Sequence, residues 1–325
     1  MTAQVTLYPD RVTFTTEQGE SLLAAALRAG LNVNYGCSNG SCGRCQARLL
    51  TGEVKPVGYQ DFVLTEAERA RGGLLMCCRA AVGDVLLEAT LAYDSSDIPV
   101  QRLTARVRKL ERYNEHTLRL QIRTPRSQTL RFIAGQHTRL LLNDELQREL
   151  PIASCPCDGM NLEFQLHRNS GDRFTEYVFN ELKTGSQVIV EGPSGDFTLV
   201  EDDPAPILFI AWGTGFGPIR SLIEHSLSLE LTQPIALYWV THEDEVHYAK
   251  GYCRAVDDAF ENFTFTPLQT DTASEALQQI QAQTGNLDGW RAYIAAPPAI
   301  VDRCLEQLGD IGLQPDRVKS DPLVA

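Results

Sequence analysis

Four cysteines pose the first chemical question. Cys37, Cys42 and Cys45 follow one another as C-x4-C-x2-C, and Cys77 comes 32 positions after Cys45. Thiolates at this spacing suit a [2Fe–2S] cluster, because a short segment wraps the cluster to supply three ligands and a distant residue supplies the fourth. Gly36, Gly40 and Gly43 are interleaved with the first three cysteines. They let the loop take backbone angles that other residues avoid, and they let amide N–H groups approach the sulfurs and stabilise the reduced, more negative state. Four cysteines also suit zinc, but the x4/x2 spacing and the long gap disfavour it. Spacing alone leaves the fourth ligand open, since Cys78 adjoins Cys77 and both follow Leu74, Leu75 and Met76. The chain has nine cysteines, an odd number that argues against a disulfide framework. Cys155 and Cys157 form a C-x-C pair that reads either as a redox couple or as two small residues at a strand end.

A second chemistry lies in the last third. Ile207 to Ala211 is an unbroken apolar run, typical of a central parallel strand. It leads into Trp212, Gly213, Thr214, Gly215, Phe216, Gly217 and Pro218, and then into a helix expected over Ile219 to Leu229. Strand, glycine turn and helix together present backbone N–H groups to a pyrophosphate. Thr241, His242, Glu243, Asp244 and Glu245 follow the next strand. A carboxylate there accepts ribose hydroxyls and repels a 2′-phosphate, which favours NADH over NADPH. The same residues read equally well as a solvated acidic turn.

These groups need elements to hold them. Val5, Leu7, Val12 and Phe14 mark two strands with Pro9-Asp10 at the turn, and Ser21 to Ala29 reads as a helix that Gly30 stops. Asp94 to Val100 is polar, ends in Pro-Val and reads as a linker. Strand-like segments follow at Leu103–Leu110, Thr117–Ile122, His137–Leu142, Leu162–Leu166 and Gln187–Val190, the pattern of an antiparallel barrel. Beyond them, strands at Ile235–Val240, Phe263–Leu268 and Ala292–Ala295 alternate with helices, which implies a parallel sheet covered on both faces.

Composition bounds the answer. A chain of 325 residues has room for two or three domains, and 43% hydrophobic with 22% charged residues excludes wholesale disorder. The net charge of −13 makes nucleic acid an unsuitable partner, since phosphates need a basic surface. Nearly all of that charge sits in residues 201–325 at −12, while residues 96–200 are at +1. The arginine-bearing middle third therefore suits a phosphate-bearing ligand. No apolar run approaches the ~18 residues of a membrane span, so no stable membrane insertion is expected. The first ten residues lack a basic-then-apolar leader, which points to a cytoplasmic protein.

The chain resembles bacterial iron–sulfur flavoprotein reductases, in which a plant-type [2Fe–2S] ferredoxin domain is fused to a module like that of the ferredoxin–NADP reductases. In that family a Leu-x-Cys segment is followed seven residues later by an Asp that opens a strand. Leu75-Met76-Cys77 and Asp84 fit this register and Cys78 does not, so the resemblance makes Cys77 the fourth ligand beside Cys37, Cys42 and Cys45. In the middle third, Ala134-Gly135-Gln136 is similar to the family's Pro-Gly-Gln. Arg148, Glu149, Leu150, Pro151, Ile152, Ala153 and Ser154 stand where it has Arg-x-Tyr-Ser-(x)2-Ser. Gly171, Asp172, Arg173, Phe174 and Thr175 resemble its Gly-Gly-x-x-Ser/Thr, and Glu191 to Phe197 its Gly-Pro-x-Gly-x-Phe turn. By itself Arg148 would be a surface arginine. In this order of motifs it is placed to hold the flavin phosphate or isoalloxazine edge with a forked donor, and Thr175 with the start of a helix over Phe174–Leu182 suits the pyrophosphate.

The resemblance thus implies a multi-domain α+β and α/β protein. It would comprise a β-grasp ferredoxin domain over residues 1–94, an antiparallel β-barrel FAD domain over 100–200 and a parallel-sheet, Rossmann-like NAD domain over 204–325. The implied activity passes electrons from NADH through FAD and the cluster to a partner oxygenase or similar redox protein, with the redox chemistry belonging to the cofactors and no general acid or base required. The implied nucleotide contacts are Gly213, Thr214, Gly215 and Pro218, with Glu243, Ala295 and Pro297. Departures from the family pattern bear on rate. Leu150 replaces a tyrosine that packs on the flavin, leaving an apolar face, and Pro151 replaces a serine at the flavin N5 locus. Trp212 replaces a glycine and adds bulk where the nucleotide approaches. Ala295-Ala296-Pro297-Pro298 stands for Cys-Gly-Pro-Pro, and the chain lacks a terminal aromatic. These changes leave open an electron carrier or docking module with degenerate NADH:flavin chemistry. The family also includes reductases of deoxysugar biosynthesis, which sequence does not separate from the oxygenase branch.

Overall fold

The computed structural model describes residues 2–35, 38–41, 43–58, 63–91, 98–125, 128–201 and 203–323. The first part is a mixed five-stranded sheet packed against one helix. Its elements are β1 (Ala3–Tyr8), β2 (Val12–Thr16), α1 (Leu22–Arg28), β3 (Gln46–Thr51), β4 (Val54–Pro56), α2 (Glu66–Ala70), β5 (Gly73–Leu75), β6 (Arg79–Ala81) and β7 (Val85–Glu88). The strand order is β2-β1-β7-β3-β5, with β1 and β7 parallel, and β4 pairs with β6 outside it. This is the β-grasp arrangement. Alternation along β1 buries Ala3, Val5 and Leu7 against Leu22, Leu23, Ala25 and Ala26 of α1. Ser21 caps α1 by accepting from the Ala24 amide at 3.1 Å. Gly30 ends it with φ +74°, and a Cβ there would lie 2.8 Å from Leu229 of the last domain.

The second part is an all-antiparallel sheet of β8 (Gln101–Arg112), β9 (Thr117–Arg123), β10 (His137–Leu141), β11 (Gln147–Pro151), β12 (Asn161–His167) and β13 (Gln187–Ser194), with α3 (Arg173–Asn180) between the last two. The order β11-β10-β13-β8-β9-β12 curls back on itself. Just beyond β11, Ala153 N–H donates to Glu163 O of β12 at 2.9 Å, nearly closing a barrel. Inside lie Leu103, Ala105, Leu118, Leu120, Ile122, Leu140, Phe164 and Val190.

The third part is a parallel sheet. It comprises β14 (Ile207–Trp212), α4 (Phe216–Ser228), β15 (Ile235–Thr241), α5 (Lys250–Ala259), β16 (Phe263–Gln269), α6 (Ala273–Thr284), β17 (Arg291–Ala296), α7 (Pro298–Gly309) and β18 (Val318–Pro322). Its order is β16-β15-β14-β17-β18. Ile207, Phe209 and Ala211 face α4 and α5, while Leu208, Ile210 and Trp212 face α6 and α7. Burial on both faces explains why β14 is apolar without interruption.

The sequence reading names no strand at β3, β4, β5 or β6 of the first domain, nor at β11 and β18 of the other two. The last two are edge strands, both are rich in charge, and both end in proline. The helix after the glycine turn begins at Phe216 rather than Ile219, so Gly217 and Pro218 lie in its first turn, where proline costs no hydrogen bond. The linker expected at 94–100 lies mostly outside the described residues. Its last part seats Ile98 against Ile133 in a small apolar cluster.

Candidate cofactor sites

The cluster ligands split between described and undescribed residues. Cys37, Cys42 and Gly36 lie outside the described residues. Cys45 stands immediately before β3, Cys77 in the turn after β5, and Met76 N–H donates to Cys45 O at 2.9 Å, tying the two segments together. Their sulfurs are buried and 3.2 Å apart. Two thiolates sharing one tetrahedral metal, with metal–sulfur bonds of ~2.3 Å, stand ~3.7 Å apart, so this pair fits two ligands of a single iron. Cys78 Sγ lies 3.6 Å from Cys77 Sγ and is also buried. The hydrogen bond to Cys45 and then burial push the Cys77 thiol well above the ordinary thiol range. A metal reverses that preference by taking the thiolate. Gly40 and Gly43 adopt φ of +84° and +76°, the backbone freedom the loop was expected to need.

The segment leading into this loop is fastened to the barrel. Arg131, itself buried, donates from Nη2 to Asn32 O at 3.0 Å and from Nη1 to Asn34 Oδ1 at 3.2 Å. The buried Tyr35 hydroxyl donates to Pro156 O at 2.8 Å. Pro156 lies five residues beyond Pro151, on the continuation of the strand that carries Arg148.

At the flavin site, Arg148 reaches across to the N-terminus of α3. Its Nη2 donates to Asp172 Oδ1 at 2.5 Å, and its guanidinium lies 5.2 Å from the centre of the Phe174 ring. Asp172 is the N-cap of α3. It accepts from Thr175 N at 2.9 Å, from Thr175 Oγ1 at 2.7 Å and more weakly from Phe174 N at 3.4 Å. Burial alone would raise the Asp172 pKa, but the donors from Thr175 and Arg148 prevail and lower it. The donor set is thus one that an anion satisfies, and here that anion is a side-chain carboxylate. A flavin pyrophosphate fits the same donors once Asp172 turns aside. Gly171, at φ +85°, has open space where a Cβ would stand.

Other expected flavin contacts are placed differently. Leu150 is turned into the barrel's apolar cluster, 8% exposed, rather than outward as an apolar face. Ile152, Ala153 and Ser154 are buried where the barrel meets α4. Ile152 N–H donates to Gln136 O at 3.0 Å, and Ser154 O accepts from Ser221 Oγ at 2.9 Å. Arg173 projects into solvent and pairs with Glu145 at 2.8 Å, so the structure does not bring its side chain to Arg148. Pro151 sits opposite His137, whose Nε2 lies 3.1 Å from Asp321 Oδ1 of β18. The Ala134-Gly135-Gln136 and Gly195-Asp196-Phe197 turns prove to be scaffold. A Cβ on Gly135 would lie 1.9 Å from Phe197 O, and Gln136 Nε2 donates to Gly195 O at 3.3 Å.

The candidate nucleotide residues gather at the carboxyl ends of the parallel strands, where the order reverses between β14 and β17. Gly213 turns the chain with φ +54°, and its carbonyl accepts from Trp239 Nε1 at 2.9 Å. Gly215 is required by close approach, because a Cβ would stand 2.2 Å from Ala295 O. Pro218 is buried beneath, Thr214 is half-buried, and Pro297 opens α7 beside the buried Ala295. The Trp212 ring is buried in the layer under α6 and α7, edge-on to His242 of the acidic loop with 6.5 Å between ring centres. Glu243 is exposed at the end of β15, and its amide donates to Asp271 Oδ1 at 3.1 Å. Asp271 was not visible to sequence reasoning. It follows the neighbouring strand β16, and only the parallel pairing of β15 with β16 adds its charge to that of Glu243.

Comparison with known proteins agrees with this geometry. Residues 5–82 match the 2Fe-2S iron-sulfur cluster binding domain and residues 104–199 the oxidoreductase FAD-binding domain. A CDP-6-deoxy-L-threo-D-glycero-4-hexulose-3-dehydrase reductase of Yersinia pestis is 32% identical over 74% of this chain and 71% of its own. The reductase component of a naphthalene 1,2-dioxygenase system from Pseudomonas putida is 25% identical over 98% of both chains. Among solved structures, an Amycolatopsis cytochrome P450 reductase superposes with a TM-score of 0.63 at 24% identity, covering 98% of each chain. The cysteine pair, the nearly closed antiparallel barrel and the reversed parallel sheet, taken with these relatives, show that the chain belongs to the iron–sulfur flavoprotein reductases, with a [2Fe–2S] ferredoxin domain ahead of an FAD-binding oxidoreductase module.

Proposed function

We propose that this reductase draws its electrons from NADH and delivers them to a terminal oxygenase or a similar redox protein. The observation that carries the reading is the clamp of Asn32, Asn34 and Tyr35 onto Arg131 and Pro156, which holds the entry to the cluster loop against the continuation of the flavin strand. When bound, NADH supplies a hydride, FAD divides the electron pair and the cluster carries single electrons. The chain's own work is positional. Arg148 and the α3 N-terminus hold the flavin phosphates, Gly213 and Gly215 bring backbone close to the nucleotide, and Cys37, Cys42, Cys45 and Cys77 hold the irons.

The choice of NADH rests on Glu243 and Asp271 at the carboxyl ends of adjacent strands, and on the absence of Lys or Arg between Val240 and Ala249. These carboxylates suit ribose hydroxyls and oppose a 2′-phosphate. Steady-state reduction of an artificial acceptor should show a higher kcat/KM with NADH than with NADPH, and Glu243→Gln should narrow the gap. Equal or better kcat/KM with NADPH would remove the argument. A second reading, as the reductase component of a deoxysugar-forming system, is favoured by the greater identity to the hexulose dehydrase reductase, at 32% against 25% for the naphthalene component. Supplying purified partner proteins of each kind and measuring NADH consumption separates the two.

A further inference from the structure

Cys155 and Cys157 are joined as a disulfide, with Cα atoms 5.2 Å apart. Pro156 lies between them at the start of a single helical turn, Pro156–Asp158. The Cys157 amide donates to Cys155 Sγ at 3.2 Å, Cys155 is half-buried and Cys157 is exposed. Three domains meet at this turn. Pro156 O accepts the Tyr35 hydroxyl of the ferredoxin domain, and the preceding Ser154 O accepts Ser221 Oγ of α4.

A bridge this short is a poor staple. Disulfides stabilise chiefly by limiting the unfolded chain, and least when the closed loop is shortest. Position and access instead favour reversible chemistry, since an exposed sulfur is open to an incoming thiolate. The chain's other thiols outside the cluster region behave differently. Cys253 and Cys304 are sealed in the nucleotide domain, and burial pushes both up to about 12, which leaves them inert.

We propose that Cys155–Cys157 is a redox-active disulfide, attacked at the exposed Cys157 sulfur by a dithiol reductant, and that its state sets how firmly the ferredoxin domain is held on the barrel. One thiolate of the reductant bonds to Cys157 Sγ, the Cys155–Cys157 bond breaks and Cys155 leaves as the thiolate. The second thiolate of the reductant then closes its own disulfide and releases Cys157. The pair gains two electrons and two protons, and the reductant is oxidised by the same amount. In the bridged state the ring fixes the backbone that presents the Pro156 carbonyl to Tyr35. In the open state that constraint is gone.

Two measurements on the full-length holoprotein, treated with dithiothreitol as the dithiol, test this. In the first, air-equilibrated protein is denatured without reductant, alkylated with iodoacetamide and peptide-mapped. The peptide holding Cys155 and Cys157 should be unmodified, and doubly alkylated after dithiothreitol. In the second, hydrogen–deuterium exchange is followed in the peptide covering residues 31–35. Exchange should be slow in the oxidised wild type and faster after dithiothreitol. In Cys157→Ser and in Cys155→Ser alike it should be fast with or without the reductant, since either change removes the bridge. Alkylation of both cysteines without reductant would overturn the disulfide. Identical exchange in oxidised and reduced wild type would overturn its hold on the ferredoxin domain. Neither measurement uses NADH, so both stand apart from the proposed electron donor.

Discussion

Cys77, Asp172 and Arg148 carry most of the chemistry that can be tested one side chain at a time. Cys77 lies against Cys45 at 3.2 Å while Cys78 is one position out of step. Cys77→Ser should therefore abolish the cluster's visible absorbance, and Cys78→Ser should retain it with two irons per chain. The reverse pattern would shift the ligand register by one. The C-x4-C-x2-C spacing made the first three ligands legible along the chain, but spacing left Cys77 and Cys78 open, and only the family resemblance chose between them. The part played by Asp172 was not legible. Nothing in the order Gly171-Asp172-Arg173 reveals that its carboxylate will take the donors of Arg148 and Thr175. In the proposed site the flavin phosphates take the place of that carboxylate, so Asp172→Asn should bind flavin more tightly by roughly 1 kcal/mol, the scale of a charge at a helix N-terminus. Arg148→Ala should weaken binding by about 1.5–3 kcal/mol, the scale of a charge-assisted hydrogen bond. Flavin fluorescence titration of apoprotein reads both, and unchanged affinity in both variants would move the phosphate site elsewhere.

Among the elements of the barrel and the parallel sheet, sequence reading succeeded where burial imposes a pattern and failed where it does not. β14 is apolar throughout because helices cover both faces, and that run is unmistakable. β11 and β18 lie at sheet edges, where charge and proline are suited to a border that must not recruit another strand. Gln147–Pro151 and Val318–Pro322 consequently carry no apolar alternation to recognise. Glycine positions were readable as turns, but their cause appears only in three dimensions, as in the approach of Gly215 to Ala295 O. The loop between β15 and α5 adds a pH dependence. Burial lowers the pKa of His247 below its ordinary 6.5, against the hydrogen bond of its Nε2 to Trp239 O at 2.8 Å. The unfolded chain therefore binds this proton first, and stability falls as pH drops below 6.5 until the folded state also protonates. Thermal melts should show that fall, and His247→Gln should lessen it. A variant whose acid-side melting curve tracks the wild type would show that the imidazole has no part in it.

For the whole molecule, the order of the three domains was legible from motif order alone, since each domain carries its own signature. How they dock was not, because the contacts are made by residues of no fixed spacing. Arg131 reaches Asn32 and Asn34, Tyr35 reaches Pro156, and Lys319 of β18 donates to Thr198 O at 2.8 Å. These contacts hold the entry to the cluster loop, the flavin strand and the nucleotide edge in one body, which is what sequential electron transfer requires. The departures from the family pattern at Leu150, Pro151 and Ala295 bear on the nicotinamide–flavin step that the resemblance implies, and the central claim is that this step survives them. Anaerobic addition of NADH to the reconstituted protein, with flavin and cluster absorbance followed together, tests that claim most directly. Loss of flavin absorbance followed by bleaching of the cluster is the result expected of a working reductase. A flavin that stays oxidised in excess NADH, while dithionite still bleaches the cluster, would contradict it and leave the chain an electron carrier.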